Sequence, residues 1–572
     1  MDSDQLHRIQ IGASARPNRH GRGEIAVSAR AVASSKLRVP SDCIPFTQIP
    51  HTSQLFRDYL YDFPRVQRFY SRNPRQRDWF GAAVSSLHYD QLRRERVADI
   101  LERQNRTFDA SQQTLDGIQR LRNGAAAAVT GQQVALFGGP LFSILKAISA
   151  VRVAEESRAA GIDCVPVFWL ATEDHDLAEV NHATLLTSEG KLSLLTTESH
   201  GAANAPISQV HFGAEIEPIA ARAAELLGES EIAALLKNTY RPGETLGSAF
   251  ARLFARLFAG LGVILLDASD PELHQIAQPV YRAAALGAEE IDQALLARGK
   301  ELRGAGYHEQ VKVTPSSTLL FMQRNGAREV VHRRNGGFVV GHDLISRDDL
   351  LARIAAEPQR FSANVLLRPV VQDYLLPTIA YSGGPAEVAY FAQAAVVYEE
   401  VLGRTTAILP RFSATIADAR AQRLMTKYKV SLTDLFHGPE VFRELLALRT
   451  VPGELDSAFI EGEEAVVGAL AKVSASLEQL DSTLVEAAGR AGSKMLYQLR
   501  RLRKRAGRAQ LRKNDEISRH AEWLSSVLFP NKNLQEREIA GVSFLARQGN
   551  DLLQALLHAA QADCPDHQVV YV

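Results

Sequence analysis

The stretch TEDHD at 172–176 sets three carboxylates, Glu173, Asp174 and Asp176, beside the imidazole of His175, and Asn181 and His182 follow a few residues on. Groups of these types act as acid and base, orient an amine nucleophile, or ligate a divalent cation. Asp174 and His175 are the candidates for moving a proton, with Glu173, Asn181 and His182 as substrate contacts. The plain structural alternative is a solvated loop whose acids cap the next helix. A metal site is not assigned: no HExxH occurs, and Cys43, Cys164 and Cys564 flank no His pair.

Two further loops carry polar groups where apolar runs end. TGQQVALFGGP at 130–140 offers Thr130, Gln132 and Gln133, and YSGGPAE at 381–387 offers Tyr381, Ser382, Gly383, Gly384 and Glu387. Neither matches GxxxxGK[ST] or GxGxxG. Their amides at a helix start suit an anion, because a helix N-terminus carries partial positive charge. A tight turn that needs glycine accounts for either loop alone; two such loops on one sheet point to a phosphate or carboxylate site.

Strands of a parallel sheet must hold these loops. An apolar run at 125–130, an amphipathic stretch with Leu141, Ile144, Leu145, Ile148 and Val151 on one stripe after Pro140, and a second apolar run at 164–170 predict one βαβ unit. Open parallel sheets take ligands at the carboxyl ends of their strands, so Thr130, Gln132, Gln133, Glu173, Asp174, His175, Asn181 and His182 are expected in one crevice. GVILLD at 262–267 and the run at 364–401 add sheet character, and the Asn-Gly and Gly-Gly turns between 305 and 345 predict hairpins.

The resulting expectation is an α/β protein with a Rossmann-like parallel-sheet core. Its parts are a disordered tail at 1–40, a helical layer at 41–121, core at 122–184, 246–300 and 363–413, and insertions at 185–245 and 301–362. A helical coiled-coil arm at 414–515 and a C-terminal helical segment at 516–572 packed on the core complete it. Leu470, Leu477 and Leu484, with Val473, Leu480 and Ala487 three residues behind each, read as an a/d seam, and the Pro452-Gly453 turn predicts an antiparallel hairpin able to pair two copies.

Composition narrows the partners. With 65 basic and 65 acidic residues, no whole-molecule field draws the chain to nucleic acid or anionic lipid. The run RRLRKRAGRAQLRK at 500–513 lacks interleaved aromatics and reads as a solvated helix face. No window has the roughly 18 apolar residues of a membrane span. The three distant cysteines predict no disulfide framework, hence a reducing, cytoplasmic setting. Residues 1–39 are Arg-rich and without apolar periodicity.

Four blocks in order, AVTGQQVALFGGPLFSILKAIS, PVFWLATEDHDLAEVNH, LRPVVQDYLLPTIAYSGGPAEVAYFAQ and LFPNKNLQER at 528–537, resemble the BshC family of cysteine ligases that close bacillithiol biosynthesis. The likeness runs from about Cys43 to the C-terminus. It implies a nucleotidyltransferase-like Rossmann core with two insertions and a dimerising coiled coil. It also implies an amide bond between cysteine and the amine of glucosaminyl malate, with ATP, and Mg²⁺ beside it, activating the carboxylate. On this reading Gln372 and Asp373 join the substrate contacts, and Arg411, Ser413, Asn533 and Gln535 hold nucleotide. The HIGH-like and KMSKS-like motifs of related adenylate-forming enzymes are not legible; TGQQ…GGP stands in place of the first, and RFSAT at 411–415 only loosely suggests the second. Two other classes fit part of the pattern, a catalytically inactive nucleotide-binding coiled-coil scaffold and a nucleic-acid-associated protein using the basic run.

Overall fold

Five apolar runs become five parallel strands: β1 (Ala126–Gln132), β2 (Cys164–Leu170), β3 (Ile264–Asp267), β4 (Thr378–Gly383) and β5 (Ala407–Pro410). They lie in the order β5-β4-β1-β2-β3. CVPVFWL is buried along its whole length, as a strand covered on both faces requires. The computed structural model describes residues 41–76, 78–198, 204–562 and 564–572; the tail expected at 1–40 lies outside them.

Strand order carries the functional consequence. From β1 the chain builds outward through β2 and β3, then returns to add β4 and β5 on the other side, so β1 and β4 meet at the topological switch point. A crevice opens there at the carboxyl ends, because the loops leaving the two strands turn apart. The seam is stitched from within: Thr130 Oγ1 donates to the Ser382 carbonyl at 2.8 Å.

Helices complete the frame. α1 (Phe142–Ala159) follows β1, α2 (Pro271–Leu286) follows β3, α3 (Arg368–Leu375) precedes β4, and α4 (Pro385–Leu402) follows it. Pro271 and Pro385 stand at first helical positions, where a missing N–H costs nothing. Pro140 instead bridges Ala540, and α1 begins two residues later. The run at 364–401 contains less strand than expected, since 368–375 is helical and only Thr378–Gly383 joins the sheet.

Residues 317–363 form a separate antiparallel sheet whose Asn325-Gly326 and Asn335-Gly336 turns have positive φ at both positions, as tight hairpins demand. The arm is a hairpin of α5 (Gly453–Leu480) and α6 (Thr483–Lys513). The expected a/d seam does not run through one helix. The chain reverses at Asp481-Ser482, where Asp481 leaves the helical region and its carboxylate accepts from Thr483 N at 2.9 Å.

Two ends expected to be helical contribute strands. Ser41–Ile44 pairs antiparallel with His567–Tyr571, which runs parallel to Ser413–Ala417. This brings Cys43 and Cys564 into a disulfide, with Cα atoms 6.1 Å apart, and corrects the expectation that no cysteines pair. Cys164 is free and buried in β2.

Candidate functional site

A cavity of ≈ 540 Å³ occupies the switch point, lined by Gln132 and Gln133 after β1, by Glu173, Asp174 and His175 after β2, and by Tyr381, Gly384 and Glu387 after β4. Its cationic wall is built from Lys146 of α1, Arg368 of α3, Arg411 and Arg537, with Arg328 reaching in from the antiparallel sheet.

Lys146 is the hub. Only 5% exposed, its ammonium donates to the Gly131 carbonyl at 2.7 Å and to Gln132 Oε1 at 2.8 Å, and pairs with Glu387 Oε2 at 2.7 Å. Glu387 also accepts from the Tyr381 hydroxyl and from Gly384 N at 2.7 Å. Burial alone would raise the Glu387 carboxyl; Lys146 and these donors overrule it and hold it below the usual range. The Gly384 amide, expected to meet an anion, is thus already taken by the first-turn carboxylate of α4.

The opposite wall is acidic. Asp174 Oδ2 accepts from Gln133 Nε2 at 2.8 Å and Oδ1 from the His175 amide at 2.7 Å, so this carboxylate braces its own loop. His175 Nδ1 lies 3.6 Å from Asp174 Oδ1. Glu173 lines the same wall and is backed by α2: Oε1 stands 3.5 Å from His274 Nε2, and burial foremost raises its pKa, with His274 and Arg328 opposing. Arg328 is clamped by the Ser362 hydroxyl at 2.8 Å and the Ala363 carbonyl at 2.7 Å, and stacks on Phe321 at 3.9 Å.

A second cavity, ≈ 570 Å³, adjoins the first and shares Gly384, Pro385, Ala386, Arg411 and Arg537 with it. Thr52, Ser53, His308, Lys532 and Asn533 add polar lining. Of the residues expected to hold nucleotide, Arg411, Ser413 and Asn533 border it. Arg411 is bidentate to Glu536 at 2.6 and 3.1 Å, and Ser413 Oγ bonds both Glu536 and His567. Gln535 is fully buried and spends its amide on Ile416 and Val527, so it faces neither cavity.

Other expected contacts also lie off the site. Thr130 and Ser382 are buried in the β1–β4 seam. Gln372 and Asp373 point into packing, where Gln372 meets Arg368 and Asp373 accepts from Tyr398 at 2.7 Å. Asn181 and the exposed His182 sit beyond the crevice at the start of a hairpin, and Gly383 lines only the second cavity. Sequence reasoning missed Lys146, Arg368, Tyr390, Arg328 and Arg537, which line the cavity, and His274 behind it. Lys146 alone left a signal: a lysine inside the apolar FSILKAIS is buried only when paired.

Fold and site together define a class, a Rossmann-like protein with a charged cavity at its switch point and a C-terminal helical arm. Two family models match: "Bacillithiol biosynthesis BshC, N-terminal Rossmann-like domain" over residues 40–412, and "Bacillithiol biosynthesis BshC, C-terminal coiled-coil domain" over 414–572. The chain belongs to the BshC family. A relative from Koribacter versatilis is 49% identical over 93% of this chain and 99% of its own. One from Solibacter usitatus is 36% identical over the same shares, and one from Salinibacter ruber 32% over 91% and 96%. All three bear the name "Putative cysteine ligase BshC". The chain is accordingly an enzyme of the ligase class. Among the described residues, no helix is long and apolar enough to cross a membrane.

Proposed function

We propose that this chain joins the carboxyl of L-cysteine to the amine of glucosaminyl malate, with ATP as the activating co-substrate. The observation that carries the reading is the division of the main cavity into a cationic wall of Lys146, Arg368, Arg411 and Arg537 and an acidic wall of Glu173 and Asp174. A malyl group brings two carboxylates and a sugar amine brings a cation, so one substrate matches both walls at once. ATP supplies what a carboxylate lacks, a leaving group on its oxygen. Lys532 and Arg537, with Thr52, Ser53 and Asn533, fit a polyphosphate in the second cavity, and Mg²⁺ would accompany it. The chain's own residues then bind and orient: arginines hold the malyl carboxylates, and Gln132 and Gln133 present amides to substrate hydroxyls.

Support for a homodimer comes from the arm, where Val473 and Leu480, a heptad apart on one face of α5, are at least half exposed. Such a stripe is covered most simply by a second copy.

The test is reconstitution. Purified chain, cysteine, glucosaminyl malate and ATP with Mg²⁺ should yield a product of the summed substrate masses less one water, and the nucleotide released, AMP or ADP, reports how the carboxyl was activated. A folded protein that forms no such product overturns the reading. Arg368→Ala should raise KM for glucosaminyl malate at least tenfold, since a charge-assisted bond is worth about 1.5–3 kcal/mol.

A further inference from the structure

We propose that Glu173 is the catalytic group that accepts the proton of the attacking ammonium, and that His274, fixed by Tyr281, is its positioning residue. The proposal rests on the ligase reading above. It departs from Asp174 and His175, the residues that the TEDHD pattern favoured for this role.

Geometry separates the three. Both oxygens of Asp174 are engaged, one by Gln133 and one by the His175 amide, and abandoning them would release the loop. His175 Nδ1, like Glu173 Oε1, has no hydrogen-bond partner among the described residues, but it is turned toward Asp174 Oδ1 at 3.6 Å, with Phe321 at 6.0 Å against the ring, and no group stands behind it as His274 stands behind Glu173. Glu173 Oε1 is shielded from solvent and accepts no hydrogen bond among the described residues, yet the side chain borders the main cavity. Behind it stand His274, 3.5 Å away and 6% exposed, and Tyr281, whose hydroxyl lies 3.2 Å from His274 Nδ1. Burial holds the Tyr281 hydroxyl protonated, so it donates to Nδ1 and leaves Nε2–H facing the carboxylate. A carboxylate braced from behind and open in front is placed to receive a proton.

The step balances. One N–H bond of the ammonium breaks and an O–H bond forms on Glu173. The freed nitrogen lone pair then forms the C–N bond at the activated acyl carbon, the C–O bond to the ATP-derived phosphoryl group breaks with its electron pair leaving on that phosphate oxygen, and the second nitrogen proton passes to the released phosphate. The titratable and charged groups around Glu173 are His274 and Tyr281 of α2, Arg328 of the antiparallel sheet, Asp267 of β3 and Arg368 of α3, with Asp174 and His175 on its own loop. Burial raises the carboxyl toward the range of an effective base. Glu173 and Arg328 also border a cavity of ≈ 60 Å³ shared with His274, through which the carboxyl can lose its proton after product leaves.

Hydroxylamine, an amine already uncharged at neutral pH, provides the test, because it needs no base. In the full chain with cysteine and ATP, Glu173→Gln should lower kcat toward glucosaminyl malate by about 100-fold or more, with a rise in KM beside it because the same carboxylate faces the bound ammonium. Its formation of cysteine hydroxamate should stay within about twofold of wild type. His274→Gln should move the acid limb of the kcat–pH profile upward, since His274 favours the ionised carboxylate, and His175→Ala should leave that limb in place. Equal loss with both nucleophiles, or no loss with either, overturns the proposal while the ligase reading stands. A wild-type protein that makes no amide with glucosaminyl malate overturns both.

Discussion

At Glu536 the balance between burial and pairing is read most directly as stability. Buried beside Arg411, Ser413 and the Ala414 amide, its carboxyl is held at about 2, against an ordinary 4.5, because the guanidinium outweighs the cost of burial. A depressed carboxylate stabilises the fold above its unfolded pKa, and that contribution is lost as pH falls from about 4.5 toward 2. The shift corresponds to about 3 kcal/mol. Glu536→Gln should therefore lower the denaturation midpoint at pH 7, and in parallel urea titrations the gap to wild type should narrow as pH falls below about 4.5 and close only near pH 2. Glu173 has the opposite sign. Its raised carboxyl costs stability as pH rises past the unfolded value, so Glu173→Gln should gain stability relative to wild type as pH rises above about 4.5. Lys146→Met strands Glu387 without its cation and should cost about 3–5 kcal/mol by the same titration. The TEDHD cluster was legible at this scale because its residues are contiguous. Lys146 left only the oddity of a lysine within an apolar run, and its role was not legible, since its partner Glu387 lies far along the chain.

Among elements, the β4–α4 junction leaves no room for a side chain at Gly383. A Cβ on Gly383 would lie 2.8 Å from Glu387 Cβ and 3.2 Å from Tyr381 and Ile408, all fixed by strand or helix. Gly383→Ala should cost about 1–3 kcal/mol and displace Glu387 from Lys146, read as a lower melting temperature together with a loss of ligation. The arm shows how element boundaries escape periodicity. Leu470, Leu477 and Leu484 keep heptad spacing, yet Asp481 and Ser482 turn the chain between the second and third. A short polar pair reads as two exposed coiled-coil positions, and only the packing of α5 on α6 makes it a turn. The basic run is answered in part: Arg500 and Arg503 pair with Glu463 and Asp456 of α5, and Arg508 pairs with Glu444 of the helix Pro439–Arg449.

Across the whole molecule, the two ends of the described chain are tied together. Ser41–Ile44 and His567–Tyr571 share a small sheet, and the Cys43–Cys564 bond closes a loop of 521 residues in sequence separation. That sheet also holds Ser413 and Thr415, whose hydroxyls bond the two ring nitrogens of His567, each at 2.8 Å. The clasp thus reaches the Arg411–Glu536 pair beside both cavities. Cross-links of this kind stabilise typically by about 2–4 kcal/mol, mainly by restricting the unfolded chain. Treatment with dithiothreitol should lower the melting temperature of the oxidised protein to that of Cys43→Ser, and the variant itself should not respond.

The sequence by itself determined the parallel-sheet class, the loops that bear the chemistry and the family, because those features are local: apolar runs, glycine turns and contiguous polar clusters. Tertiary structure alone decided which polar groups face the cavity. Thr130, Ser382, Gln372, Asp373 and Gln535 looked like contacts and are instead consumed by neighbours. Arg368, Arg328 and Arg537 looked unremarkable and converge with Lys146 from separate elements onto one cavity. The physical reason is that side-chain satisfaction is a long-range property. A hydroxyl or carboxylate is free for a ligand only if no backbone or side-chain partner, often hundreds of residues away, has already claimed it.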